Sequence, residues 1–236
     1  MNKQKIIADL RRELEAVVAE RRAAASAPAA HAARVALRHY QSQRMARTHA
    51  DLLAAPASST AARFFLRDLY GPEDLTRRDA NLERIIPTME RVLPAAALAT
   101  IAEAVALDAL SEKLDGAMAH RLGEVFTEDD YIAAYRTLTA RDDRERQLGY
   151  VESVGMSLCE LVRIPLLGST LAMMRGPAKL AKLGELQRFL ERGFTAFKGM
   201  RQSREFVTTI VRREREIMER LYAGKTQPFG DAVSLG

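Results

Sequence analysis

Apolar positions recur along this chain at steps of three and four, and no stretch alternates with a period of two over the length of a strand. Residues 3–25 place Ile6, Leu10, Leu14, Val17 and Val18 on one face and Arg and Glu on the other, until Ser26-Ala27-Pro28 ends the pattern. A second long helix is predicted from about Pro28 to Ala54, stopped by Ala55-Pro56. Ser58 or Ser59 can cap a short third helix that ends at Tyr70-Gly71-Pro72. Thr76, with Asp79 three residues on, forms a capping box for a helix over about 77–92, which Pro87 kinks or shortens. Pro94 opens a helix to about Leu122, and Thr127 to Asp130 repeats the capping logic for a helix over about 128–140. Asp142 or Asp143 starts another, to about Arg163. Pro165, Gly168, Gly176 and Pro177 then break the chain into short pieces before helices of about 184–199 and 202–222. The expectation is an all-α fold, a single multi-helix bundle of about eight to ten helices with short loops and no sheet. It forms one domain over 1–223, with a weak sub-division near 140–143 and a disordered tail over 224–236.

Length and composition leave that picture in place. The chain has 236 residues, 47% apolar and 28% charged, enough to bury a sizeable core. Arginine (29) far outnumbers lysine (7), a bias that fits a GC-rich genome better than a special function. Cys159 is the only cysteine, which excludes an internal disulfide framework and a multi-cysteine zinc site. Its neighbours Met156, Leu158, Leu161 and Val162 suggest a buried thiol. The N-terminus is charged and helical with no apolar signal-peptide core. The longest apolar window, Ile164–Met174, falls well short of the roughly 20 residues of a membrane span, so the expected location is cytoplasmic. The net charge of +5 is unevenly laid out. Lys plus Arg number ten against five Asp plus Glu in residues 1–56, nine against fourteen in 57–140, and seventeen against twelve in 141–236. An acidic middle between basic arms lets the arms pack on it.

The helix opened by Pro94 carries the densest candidate chemistry. Leu98, Ile101 and Val105 define a face, and the same steps lead on to Asp108, Glu112 and Asp115. Buried, these carboxylates must be matched by cations, protonated or bound to metal. The favoured reading is instead a core face that surfaces as the helix leaves the bundle, while Leu107, Leu110, Leu114 and Met118 form the buried seam. Di-metal carboxylate bundles use Glu-x-x-His, which does not occur here, and no cofactor or metal is indicated. The second helix offers His39, Tyr40, Arg44 and Arg47 as ligand or anion-binding candidates. Arg44 continues the face of Leu37 and Tyr40, so it needs an acid if buried; Asp68, Asp79 or the Asp108–Asp115 stripe could supply one. An internal salt-bridge network is favoured over an anion site.

Other patterns carry less. Gly224-Lys225-Thr226 lacks the upstream glycine and strand of a phosphate-binding loop. Arg175–Lys182, RGPAKLAK, beside apolar Leu166–Met174, resembles a weak surface-binding hairpin. Arg201, Arg204, Arg212, Arg213 and Arg215 are diluted by Glu205, Glu214, Glu216 and Glu219, the mark of a solvated helix rather than a nucleic-acid stripe.

Phe64–Asp79, FFLRDLYGPEDLTRRD, reads as a structural junction. Phe64 and Phe65 plug the core, Tyr70 precedes a stop at Gly71, and Asp79 belongs to the following cap while Asp68 can meet Arg77 or Arg78. Together with RMARTHADLL (44–53) and MRGPAKLAKLGELQRFLERGF (174–194), this segment resembles a family of uncharacterised bacterial all-helical proteins, a domain of unknown function. The resemblance covers most of the chain and implies membership and fold, without an activity, cofactor or partner. His49 stands where an aromatic such as Tyr is expected, which argues against a catalytic or metal role for it.

The leading expectation is a non-enzymatic cytoplasmic helical protein that binds a protein partner or forms a homo-oligomer. The alternative is a small-molecule-binding or metal-dependent helical-bundle enzyme using Asp108, Glu112 and Asp115 with Arg44, His39 and Tyr40. Nucleic-acid binding rests only on a pI near 9.5 and is the weakest of the three.

Overall fold

The computed structural model describes residues 2–65, 86–91, 93–173, 175–176, 184–225 and 227–229, with no account of the side chains of 184–186 and 189. These residues form α1 (Lys3–Ala25), α2 (Pro28–Thr48), α3 (Ala50–Ala54), α4 (Ser59–Phe64), α5 (Ala95–Leu122), α6 (Glu128–Leu138), α7 (Arg141–Leu161), α8 (Leu167–Met173), α9 (Gly184–Lys198) and α10 (Ser203–Tyr222). Residues 86–91 are also helical, and no strand occurs among the described residues. The fold is all-α, as expected. Asp68, Tyr70, Gly71 and Asp79, with the cap at Thr76 and most of RGPAKLAK, lie outside the described residues.

The 28-residue α5 is the axis of the bundle, touching α1, α2, α6 and α7. It runs parallel to α1, because Lys3 Nζ donates to the Leu93 carbonyl at one end while Arg21 reaches Asp108 at the other. It runs antiparallel to α7, where Ser153 donates to Glu103 and Gln147 to Ser111. Its buried residues, among them Leu98, Thr100, Val105, Leu110, Leu114 and Met118, point in all directions around the axis, as a helix enclosed by others requires. Gly123 ends it with φ of 68°, a left-handed conformation that residues other than glycine rarely adopt. The capping box predicted at Thr127 is present: Thr127 N–H donates to Asp130 Oδ2, and Asp130 N–H to Thr127 Oγ1.

Three apolar clusters fill the bundle. One joins α1 and α5 through Leu10, Leu14, Val17, Ile86, Leu98 and Val105. A second gathers Phe64 and Phe65 with Phe197 and Phe206 from α9 and α10, the Phe65 and Phe206 rings 6.4 Å apart. The third joins α2, α5, α6 and α10 around Leu37, Met118, Tyr131, Tyr135 and Leu221. Gly155 brings α7 against α10 so closely that a Cβ there would lie 2.7 Å from Val207 Cγ1.

Two expectations need correction. The helix predicted from Pro28 to Ala54 is divided at His49, whose backbone leaves the helix (φ −115°, ψ 27°) as its ring turns inward to Glu214 at 2.8 Å. The segment from 224 onward was read as a disordered tail, yet Pro228 is fully buried and Phe229 lies against Tyr131 at 6.2 Å and beneath the Arg44 guanidinium. Apolar surface left open by α2 and α6 holds these residues in place.

Candidate functional site

Five helices exchange an apolar seam for a charged one at the same level of the bundle. In α1 the sequence Leu10, Leu14, Val17 is followed by Arg21, and in α5 Leu98, Ile101, Val105 by Asp108, Glu112 and Asp115. In α2, Leu37 and Tyr40 lead to Arg44; in α7, Val151 and Leu148 lead back to Arg144. In α10, Glu214 interrupts Val207, Ile210, Ile217 and Leu221. Each substitution keeps the three- and four-residue steps, so each charged side chain points where an apolar one would have been buried.

Around Glu112 the layer is densely paired. Glu112, only 4% exposed, accepts from Arg21 Nε at 3.0 Å, from Arg34 Nη1 at 2.6 Å and from Arg38 Nη2. Arg21 also donates to both oxygens of Asp108, at 2.8 and 3.0 Å, and Arg34 to Glu20 at 3.0 Å. Gly116, one turn beyond Glu112, leaves the space for Arg34: a Cβ there would come within 2.5 Å of Arg34 Nη2. The acidic stripe therefore does not surface. It stays inside and is matched by cations from α1 and α2, so burial of the three guanidinium groups is compensated by hydrogen-bonded opposite charge.

Next to this network the pairing thins and a chamber of about 110 Å³ opens among α2, α5, α6, α7 and α10. Arg44 Nη1 donates to both Glu214 oxygens at 2.7 and 2.6 Å, and His49 Nε2 lies 2.8 Å from the same carboxylate. Burial pushes the Glu214 carboxyl up, but the Arg44 charge and the His49 hydrogen bond outweigh it and bring it down to about 2. Asp115 accepts from Gln41 Nε2 at 3.0 Å and has Arg144 4.0 Å away; burial dominates there and raises its carboxyl above the ordinary value. Arg144 spends its donors on neutral acceptors, Gln147 Oε1 at 2.9 Å and Met118 Sδ at 3.1 Å, and stacks 4.5 Å from the Tyr135 ring.

The sequence-derived candidates thus fall into three places. Arg44 and Asp115 line the chamber, Asp108 and Glu112 join the ion network beside it, and His39 and Arg47 are exposed. His39 meets only Gln43 of its own helix. Tyr40 lies between, donating to Glu128 at 3.1 Å with its ring 4.6 Å from Tyr131. Among the described residues, no group of three or more His, Cys, Asp or Glu could hold a metal ion. Sequence reasoning missed Arg21, Arg34, Arg38, Arg144 and Glu214; the interrupted seam was the signal that could have found them.

A second feature lies on the surface. The turn after α7 holds Leu166 at φ of 67°, a conformation uncommon for a residue other than glycine, with its side chain 78% exposed. Met173, at the end of α8, is 80% exposed, and Ile164 is also exposed. Leu166 and Ile164 border an open groove of about 710 Å³ between α8 and α9, floored by Phe194 and flanked by Arg163, Arg175 and Lys198. Arg175 pairs with Glu191 at 2.6 Å and Lys198 lies over the Phe194 ring, while Arg163 forms no ion pair among the described residues.

Fold and site together define an all-helical protein built around a buried layer of opposed charges. The chain belongs to the family of the domain of unknown function DUF8198, which matches residues 20–228 and so spans both the layer and the groove. No curated protein and no solved structure matches the chain. Among the described residues no helix is long and apolar enough to cross a membrane.

Proposed function

We propose that this chain is a non-enzymatic helical protein that docks an amphipathic helix of a partner protein, with acidic residues flanking its apolar face, in the α8–α9 groove. The observation that carries this is Leu166, held in a costly backbone conformation with its apolar side chain in water at the edge of the groove with Ile164. An apolar helix face in a hydrophobic groove is a recurrent recognition mode, and Arg163 and Lys198 on the rim favour negative flanks. A two-fold pairing of this chain's own grooves would oppose those cations to their copies, which disfavours a homodimer through this face.

A fluorescent designed peptide with Leu at helical spacing and Glu flanks, titrated by anisotropy against a Lys-flanked counterpart, tests the reading. The Glu-flanked peptide is expected to bind, more weakly as salt rises, and to be lost from a folded Ile164→Glu/Leu166→Glu variant. Equal binding of both peptides, or binding unchanged in the variant, refutes it. Concentration-dependent dimerisation that the same variant abolishes, or pelleting with anionic vesicles without peptide binding, assigns the groove to another occupant and overturns it as well.

A further inference from the structure

The chamber beside α5 is unlike the rest of the ion layer, because the hydrogen bonding of its charged groups is incomplete. Arg44 is buried, 8% exposed, and although Nη1 serves Glu214, its Nε is buried with no hydrogen-bond partner. A buried guanidinium N–H left unmatched costs free energy, as does any buried polar group without a partner. Arg144, 4% exposed, has its nearest carboxylate 4.0 Å away on Asp115. Asp115 also accepts from Gln41 Nε2 at 3.0 Å, so it does not serve Arg144 alone. Arg44 thus keeps an unused donor, and Arg144 holds its carboxylate at the limit of ion-pair distance, beside a space bordered by Tyr131 and Gln147.

We infer that this chamber is a binding site for a small aliphatic monocarboxylate, whose carboxylate lies between Arg44 and Arg144 and whose alkyl part lies toward Met45, Val151 and Ile210. The size fits. An apolar cavity of roughly 150 Å³ accepts benzene, which has six heavy atoms, so about 110 Å³ suits a molecule of about four to five heavy atoms. Charge-assisted hydrogen bonds from two guanidinium groups supply the missing partner for Arg44 Nε and a closer counter-charge for Arg144 than Asp115 at 4.0 Å. The mixed lining agrees with a ligand that has one anionic end and one apolar end. This site is independent of the surface groove, so either proposal can fail alone.

Saturation-transfer NMR and thermal melting of the full chain with sodium propionate, against sodium chloride and propylammonium chloride at matched ionic strength, provide the test. Propionate is expected to bind saturably and raise the melting temperature, while chloride and propylammonium do neither. Arg144→Gln should weaken propionate about tenfold or more, the loss of one charge-assisted hydrogen bond. Val151→Phe, which fills the chamber without touching a charge, should abolish the signal in a chain that still melts cooperatively, and it carries the test if Arg144→Gln does not fold. No saturable propionate signal above the chloride control, or propionate binding unchanged in the folded Val151→Phe chain, overturns the inference.

Discussion

Replacing Glu112 by Gln keeps the side chain's shape and removes one charge from the most crowded point of the ion layer. Arg21 and Arg34, 8% and 12% exposed, and Arg38, 20% exposed, would then face each other, and among the described residues the carboxylates still hydrogen-bonded to them are Asp108 and the half-exposed Glu20. Breaking a buried pair by removing one partner typically costs about 3–5 kcal/mol, because a desolvated charge is left uncompensated. Three guanidinium groups share this one carboxylate, so the upper part of that range is expected. The loss is a large share of the roughly 5–15 kcal/mol that holds a folded domain. The chain has no Trp, so urea unfolding is best followed by far-ultraviolet circular dichroism. With a urea dependence of about 3 kcal/mol/M for a chain of this size, the midpoint should fall by about 1–2 M. Glu216→Gln is the control. Its i,i+4 pair with Arg212 is open to solvent, with side chains 47% and 62% exposed, and its loss should cost no more than about 0.5 kcal/mol. Adding Arg34→Leu to Glu112→Gln removes one stranded cation and should recover part of the loss. If Glu112→Gln costs no more than Glu216→Gln, the layer does not act as a compensated set of buried charges and the reasoning fails.

Two further predictions follow from the packing and the charge pairs. Gly155→Ala places a Cβ 2.7 Å from Val207 Cγ1 and should destabilise by about 1–3 kcal/mol, with Val207→Ala partly restoring the melting temperature; a neutral Gly155→Ala would contradict the close approach of α7 and α10. Glu214, brought down to about 2 from an ordinary glutamate value of about 4.3, contributes stability that is fully present above that ordinary value and is lost as pH falls through about 2. The stability gap between the native chain and Glu214→Gln, measured by urea titration at several pH values, should therefore hold level from about pH 7 to 5 and close on acidification below about 4; a gap that widens as pH falls would refute the pairing.

Helix boundaries were the most legible feature, because caps and breakers act locally. The Thr127–Asp130 box and Pro28 at the start of α2 follow from neighbouring residues alone. The break at His49 was hidden because its cause lies 165 residues away, in the carboxylate of Glu214. Glu214 was hidden for a related reason. Among the alternating charges of α10 it resembles its solvated neighbours, and only its place between Ile210 and Ile217 marks it as inward-facing. The acidic stripe on α5 was legible as a pattern, but its burial depends on α1 and α2 closing over it with Arg21, Arg34 and Arg38. Pro228 and Phe229 were lost in a segment of weak local signal whose order comes from long-range contact with Tyr131 and Arg44.

The passage of α5 from apolar to charged along its length works as a vernier. Leu and Val side chains tolerate being slid past one another by a helical turn, about 5.4 Å, at modest cost. A turn in one direction would set Glu112 against Val17 of α1, and in the other against Ala24, stranding Arg21 either way. The five helices that meet at this level therefore share one axial setting, which the apolar clusters alone would leave loosely specified.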